Sequence, residues 1–344
     1  MTHRIQIEGS AECVEAEPGD TILDALLMGG IGFPYSCQAG NCGNCKCELV
    51  DGEIQELEYS EHALSADERA RGSILACRSQ IWSDVRIRKL DEEAFVVHPS
   101  RVMQCRVVAL EPLTHDIHRL RLDIVSGGPF TFSAGQYASL SFPFAPDRPR
   151  HFSMASRPDE SRLEFHIREG ATGTLCHGLA ERLAVGDIVR VAGPEGASYL
   201  RERHDGPVLA IAGGSGFAPI RSILGTLRAR GLRNPIHAYF GARAERDVYG
   251  ESELRSWTEG QPQSAAHVVL STDGGHGRRH GFVTDAVAMD FDRLDGFKAY
   301  VAGPPAMVEA AVELLQRKGM ALRDIHTDLP VAVAGPVTVL QENL

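Results

Sequence analysis

Hydrophobic and polar positions follow three successive rhythms along the chain. In the first stretch, short alternating runs at residues 4–7 and 13–16 predict two strands. Pro18-Gly19-Asp20 reads as a turn. Thr21 and Asp24 then form a capping pattern ahead of the apolar set Ile22, Leu23, Leu26 and Leu27, which predicts a helix of about two turns ended by Gly29-Gly30. A strand is expected at 46–50, turned by Asp51-Gly52, and a closing strand around Val85 and Ile87.

The second rhythm is strand-dominated. Leu120, Leu122 and Ile124 alternate with charged residues, as do Leu163, Phe165 and Ile167. Ala138, Leu140 and Phe142 form a third set and residues 188–191 a fourth. With one helix expected at 174–182, this predicts a small antiparallel barrel. From about Gly206 strands alternate with helices. Strands are expected at 208–212, 236–240, 267–270, 299–302 and 325–327, with helices at 220–230 and 306–318. That order implies a doubly wound parallel sheet. The expected organisation is therefore α+β over 1–91, a linker at 92–101, a barrel domain at 102–203, an α/β domain at 204–328 and a tail at 329–344.

Composition narrows the function classes. The 344 residues are 43 % hydrophobic and 24 % charged, with a net charge of -11, so the chain buries real cores and disorder is excluded. An acidic protein is a poor partner for nucleic acid or anionic membranes. No apolar run approaches the roughly 18 residues of a membrane span. The first sixteen residues lack an apolar signal-peptide core, so the cytoplasm is the expected compartment. Residues 1–91 hold sixteen acidic against eight basic residues, so most of the net charge lies there.

Four cysteines crowd into eleven residues: Cys37, Cys42, Cys45 and Cys47. In a reducing compartment this reads as metal or redox chemistry. Cys37-x4-Cys42-x2-Cys45 with Cys77 farther on is the plant-type spacing for a 2Fe–2S cluster. Tetrahedral zinc is the rival, though zinc sites favour paired C-x2-C knuckles and only one such pair exists here. A chance grouping of structural cysteines is the plainest alternative. Cys47 is expected to point away from the other thiols.

Two further constellations are candidates for binding anionic cofactors. Arg150, Phe152 and Ser153 lie on an expected strand, where a cation, an aromatic and a hydroxyl could hold a flavin's phosphate, ring and ring nitrogen. Arg168 and the Gly170–Gly173 loop entering a helix at Thr174 extend that reading, because helix N-termini attract anions. An ordinary barrel strand is the alternative. Gly213, Gly214, Ser215 and Gly216 follow one expected strand, and Gly303 with Pro304 ends another. Both loops fall at carboxyl ends of strands, where open α/β sheets bind dinucleotides. The spacing is not the standard GxGxxG. His276, Arg278, Arg279 and His280 read as a solvated basic loop. No HExxH or G-x-S-x-G motif is present.

Taken in order, CQAGNCGNC, Cys77, GQY, RHFS, GGSGFAP, YFGAR and AGPPAMVEA resemble the ferredoxin–flavin reductase components of bacterial oxygenase systems. The chain is most similar to those serving Rieske aromatic-ring dioxygenases of the naphthalene dioxygenase type. The resemblance implies an N-terminal β-grasp ferredoxin, an FAD-binding barrel and an NAD-binding doubly wound domain. A ferredoxin placed first implies FAD rather than FMN.

By the same resemblance Cys37, Cys42, Cys45 and Cys77 ligate the cluster. Arg150, Phe152 and Ser153 hold the flavin, Ser153 at its reactive nitrogen, with Ile167, Arg168, Gly173, Thr174 and Cys176 along its tail. Gly213, Gly214, Ser215, Gly216, Arg243, Gly303 and Pro304 line the nicotinamide nucleotide. The implied path is hydride from nicotinamide to flavin, then single electrons through the cluster to a Rieske-type ferredoxin or the terminal oxygenase. NADH is expected over NADPH, because Glu245 and Asp247 flank Arg243 and Arg246. Multicomponent monooxygenases and deoxysugar biosynthesis use the same architecture, and a non-catalytic redox sensor is a remote alternative.

Three departures from the family pattern stand out. Cys176 replaces a Ser or Thr, Ala302 replaces a Cys, and Leu329-Pro330-Val331 stands where relatives carry an aromatic. The tail is therefore not expected to gate the nicotinamide site.

Overall fold

The computed structural model describes residues 2–35, 38–41, 43–61, 63–90, 96, 98–272 and 277–328. Cys37, Cys42, His276 and the tail from Leu329 lie outside the described residues, and the readings placed on them remain expectations.

The first unit contains β1 (His3–Ile7), β2 (Cys13–Ala16), α1 (Ile22–Met28), β3 (Lys46–Asp51), β4 (Ile54–Glu56), α2 (Ala66–Ala70), β5 (Ser73–Leu75), β6 (Ser79–Ile81) and β7 (Val85–Lys89). Its main sheet runs β2-β1-β7-β3-β5, with β1 and β7 parallel, and β4 pairs with β6. Thr21 caps α1 by accepting a hydrogen bond from the Asp24 amide, as its sequence predicts. The apolar face of α1, Ile22, Leu23 and Leu26, is fully buried against this sheet. Each such side chain contributes about 1.5–3 kcal/mol. The Ser65–Glu68 capping box of α2 is complete.

The barrel contains β8 (Arg101–Pro112), β9 (Ile117–Ser126), β10 (Tyr137–Phe142), β11 (Ala145–Ser153), β12 (Leu163–Arg168), α3 (Leu179–Arg182) and β13 (Ile188–Glu195). All pairs in its β11-β10-β13-β8-β9-β12 sheet are antiparallel. A bridge between Met154 and Phe165 joins the two outer strands. The helix expected at 174–182 is shorter than predicted. Gly173 and Gly178 adopt φ of 88° and 61°. Thr174 spends its hydroxyl on the Ala171 carbonyl, a local turn that competes with helix. Thr174 therefore does not stand at a helix N-terminus, and no helix end supplies an anion site there.

The third unit contains β14 (Val208–Gly213), α4 (Phe217–Ala229), β15 (Ile236–Ala242), α5 (Glu251–Thr258), β16 (Ala265–Leu270), β17 (Arg279–His280), α6 (Val283–Asp290), β18 (Lys298–Ala302), α7 (Pro305–Arg317) and β19 (Ile325–Asp328). The sheet order β17-β16-β15-β14-β18-β19 is parallel throughout. Its order reverses beside β14, so the Gly214–Gly216 turn and the Gly303-Pro304 turn share one end of the sheet. Helix α4 begins three residues earlier than expected, with Pro219 accommodated in its first turn. The basic spot at 278–280 is not a solvated loop. Arg278 ion-pairs with Glu245 and Glu251, and Arg279 with Asp290. Among the described residues, no helix is long and apolar enough to cross a membrane.

The units interlock. Arg221 and Ser222 of α4 donate to the carbonyls of Ala155 and Ser156 at 2.8 and 2.7 Å. On the other side, the Ala197 amide donates to the Tyr35 carbonyl at 2.7 Å.

Candidate active site

The cysteine loop returns to the sheet through Lys46, and Cys77 occupies a single 3-10 turn after β5. This brings Cys45 and Cys77 together. Both are buried, neither forms a disulfide, and their Sγ atoms are 3.2 Å apart. Two converging soft donors fit an iron–sulfur group. Gly40 supports the wrap, since its φ is 75° and a Cβ there would lie 2.8 Å from Tyr59. Cys47 is fully buried in the core of this unit.

A cavity of about 310 Å³ opens where the barrel meets the carboxyl end of the parallel sheet. Phe152 and Ser153 line one side with Tyr137, and Ser215, Gly216, Ala302, Gly303 and Pro304 line the other. Gly216 lies so close to the Ala302 carbonyl that any Cβ would collide with it. At the floor Ser153 Oγ donates to Asp328 Oδ2. Burial raises the Asp328 carboxyl to about 6, against the lowering effect of the Ser153 hydrogen bond. Arg168, at the end of β12, also faces this cavity. Its Nε is buried without a hydrogen-bond partner and lies 3.3 Å from Asp116 Oδ2. An unsatisfied guanidinium nitrogen in such a cleft suits a cofactor's oxygen or phosphate.

Two further cavities hold expected residues. One, of about 300 Å³, is lined by Gly213, Gly214, Arg243, Asp247 and Pro304. Asp247 is 5 % exposed. Its Oδ2 accepts from the Ala244 amide at 3.0 Å, while Oδ1 is buried without a hydrogen-bond partner. The other, of about 510 Å³, is lined by Arg148, Gly173, Thr174, Phe144 and Arg182.

Known families match this three-part layout. Residues 5–81 match the 2Fe-2S iron-sulfur cluster binding domain, 104–199 the oxidoreductase FAD-binding domain, and 210–313 the oxidoreductase NAD-binding domain. The chain is 38 % identical over 317 residues to the ferredoxin--NAD(P)(+) reductase component of the naphthalene 1,2-dioxygenase/salicylate 5-hydroxylase systems of Ralstonia sp. The match covers 92 % of this chain and 94 % of that one. It is 35 % identical to the naphthalene 1,2-dioxygenase system reductase component of Pseudomonas putida, covering 94 % and 97 %. The chain belongs to this family of ferredoxin–NAD(P)+ reductase components. A solved relative, the Amycolatopsis cytochrome P450 reductase GcoB, superposes with a TM-score of 0.73 at 35 % identity, covering 95 % and 98 %.

As a reductase component, the chain is an oxidoreductase with 2Fe–2S, FAD and NAD-binding parts. Its structure brings most of the expected residues together and separates a few. The Ile167 side chain is fully buried in the barrel core, because only alternate residues of β12 face the cavity, so its backbone alone is open to a cofactor. Arg150 is not among the residues lining the 310 Å³ cavity. Its charge reaches Cys176, whose thiol is pushed up by burial and pulled down by Arg150 and Arg182.

Three residues of the reductase escape sequence reasoning. Asp328 ends a strand without any motif. Asp247 reads from sequence only as a repelling charge. His166 lines the cavity next to the motif residue Arg168 and is buried. It contacts Tyr249 Oη at 3.2 Å and Glu164 Oε1 at 3.1 Å. Burial pushes Glu164 up, but hydrogen bonds from His166 and Arg121 and the charge of Arg221 outweigh it and hold the carboxyl at about 2. Alternation along β12 is the available signal, since His166 and Arg168 must share a face.

Proposed function

We propose that this reductase takes electrons from NADH into FAD and delivers them through its 2Fe–2S cluster to a Rieske-type ferredoxin or to the terminal oxygenase of an aromatic-ring dioxygenase system. When bound, the flavin accepts two electrons from the reduced nicotinamide and the cluster passes them on one at a time. The chain's own residues place, orient and tune these groups.

On this reading Cys37, Cys42, Cys45 and Cys77 hold the cluster. Phe152 lies along the flavin, and Ser153 stands at the reacting nitrogen. Arg168 meets the pyrophosphate, with Arg150 and the Gly173–Cys176 segment farther along the tail. Gly213–Gly216, Gly303 and Pro304 leave the backbone open to the nucleotide. Asp247 accepts hydroxyls of the adenosine ribose and repels a 2′-phosphate, which favours NADH. Above about pH 6 Asp328 accepts the Ser153 hydrogen bond and aims the hydroxyl's lone pairs into the cavity. Below that pH a protonated Asp328 leaves Ser153 free to donate there instead.

The observation that carries the proposal is the contact between Asn44 and β19. Asn44 Nδ2 donates to the Thr327 carbonyl at 3.3 Å, and the next residue, Asp328, holds Ser153. The cysteine loop is thereby tied to the strand that floors the flavin cavity.

The purified protein is expected to contain two irons, two labile sulfides and one FAD. Cys45→Ser should abolish reduction of one-electron acceptors that need the cluster, while NADH-driven reduction of ferricyanide by the flavin survives. Zinc in place of iron would overturn the reading. The match to GcoB supports a second reading, in which the acceptor is a cytochrome P450. Rates of electron transfer to each purified partner distinguish the two.

A further inference from the structure

The largest of the described cavities lies apart from the flavin and nucleotide clefts. About 550 Å³ in volume, it opens at the seam where the ferredoxin unit meets both the barrel and the parallel sheet. This falls within the usual range for small-molecule sites.

Its charge runs against that of the protein. The chain carries -11 overall and the ferredoxin unit is its most acidic part. Yet the cavity is lined by Lys46, Arg71, Lys89, Arg201 and Arg323, with Glu68 as the single carboxylate among the described lining residues. Glu68 is committed to Lys46, 2.7 Å away. Lys89 lies 3.4 Å from Glu12 and Arg323 4.0 Å from Asp324, and neither carboxylate lines the cavity. Arg201 is buried and donates to the carbonyls of Tyr199 and Ala197.

A second observation points the same way. His326 lines the cavity, is 5 % exposed, and has Nε2 buried without a hydrogen-bond partner. Its ring stacks on Tyr300 at 5.2 Å, which fixes its plane. Burial and the neighbouring cations Arg201 and Lys298 hold it neutral, so one ring nitrogen has an N–H to give. An unmet polar atom in a walled, cationic space marks a position a ligand can satisfy. The remaining walls, Phe33, Pro34, Leu322 and Ile325, are apolar.

We propose that this seam is a binding site for a small organic carboxylate with an apolar body. Its carboxylate would lie between Arg323 and His326, and its apolar part against Phe33 and Leu322. Because Phe33, Lys46, Arg71 and Lys89 come from the ferredoxin unit and Arg201, Leu322, Arg323 and His326 from the reductase units, an occupant bridges the two. A ligand that binds the docked arrangement stabilises it by mass action.

The test is calorimetric titration of the holoenzyme at fixed ionic strength with three probes: benzoate, benzyl alcohol and inorganic phosphate. Benzoate should bind one per chain with Kd below about 1 mM. Benzyl alcohol lacks the charge and phosphate lacks the apolar body, so each should bind at least about tenfold more weakly. Arg71→Glu combined with Arg323→Glu reverses two exposed charges. That variant should weaken benzoate by about tenfold or more, with flavin and cluster absorbance and NADH–ferricyanide activity retained. His326→Phe keeps the stacking ring and should also weaken benzoate. Benzoate binding no tighter than benzyl alcohol or phosphate would overturn the proposal. So would unchanged benzoate binding in the charge-reversed variant, which would place the ligand elsewhere, or no saturable heat.

Discussion

Ser153 Oγ donates a hydrogen bond to Asp328 Oδ2 across a sequence separation of 175 residues. One residue ends a barrel strand and the other ends the last strand of the parallel sheet. Their meeting point floors the cavity shared by both units. Ser153→Ala should slow reduction of bound flavin by NADH by about ten- to a hundredfold, a loss typical of one positioned polar group. Rapid-mixing absorbance on protein that retains FAD measures it.

Asp328→Asn should remove a titration near pH 6 from the same rate, because burial raises that carboxyl to about 6. The stability consequence has a definite sign. A raised carboxyl pKa means the folded chain holds a proton that the unfolded chain releases between about pH 4 and 6. That contribution is full below about pH 4 and lost as pH rises through 6. The Tm of Asp328→Asn should therefore gain on wild type as pH rises from 4 to 7, measured by calorimetry.

Asn44 should act as a positioning residue between cluster and flavin. Asn44→Ala removes the side-chain donor to the Thr327 carbonyl. Reduction of the flavin by NADH should be unchanged, while electron transfer from flavin to cluster slows severalfold. Equal slowing of both steps would show that the contact serves folding instead.

Asp247 should set the coenzyme preference. Asp247 lines the nucleotide cavity beside Arg243, whose Nε lies 3.8 Å from Oδ2, while Oδ1 makes no hydrogen bond and lies 3.5 Å from His115 Nδ1. Asp247→Ser removes the carboxylate and frees Arg243. The ratio of kcat/KM for NADPH over NADH should rise by about tenfold, worth about 1.4 kcal/mol.

Partner docking should depend on salt. Asp51, Glu53, Glu58 and Glu61 are exposed on the acidic ferredoxin unit. Raising ionic strength from 0.1 to 1 M shortens the screening length from about 10 to about 3 Å. Electron transfer to the true partner should fall more than flavin reduction by NADH, because steering acts on the encounter. The same salt dependence for both steps would refute this role.

Arg221 joins the barrel to the NAD-binding unit through Ala155, Glu164 and Glu253. Arg221→Met leaves the buried Glu164 carboxylate short of one cation. Leaving a buried charge wholly unpaired costs about 3–5 kcal/mol; here Arg121 still pairs with Glu164 at 2.8 Å, so the loss is smaller than that. Chemical unfolding should show that loss, with His166→Phe adding less than its separate effect because the two share one network.

Local pattern determined a large part of this protein. The cysteine spacing, the Thr21 cap, the alternating barrel strands and the strand–glycine–helix units were all legible, because each is set by neighbours within a few residues. Gly216 was legible for the same reason. Helix lengths near glycine were less so: at 174–182 the φ of Gly178 and the turn at Thr174 outweighed a favourable apolar pattern.

What only the tertiary structure decided is the pairing of distant residues. Nothing near Asp328 announces a partner for Ser153, and nothing near Asn44 announces the Thr327 carbonyl. The contact between His115 and Asp247 and the cation-lined seam around His326 exist only once the three units pack together. The physical reason is range. Hydrogen-bond capacity and periodicity are written residue by residue, but burial, and with it the value of a charge or an unpaired polar atom, depends on which surfaces the whole chain brings into contact.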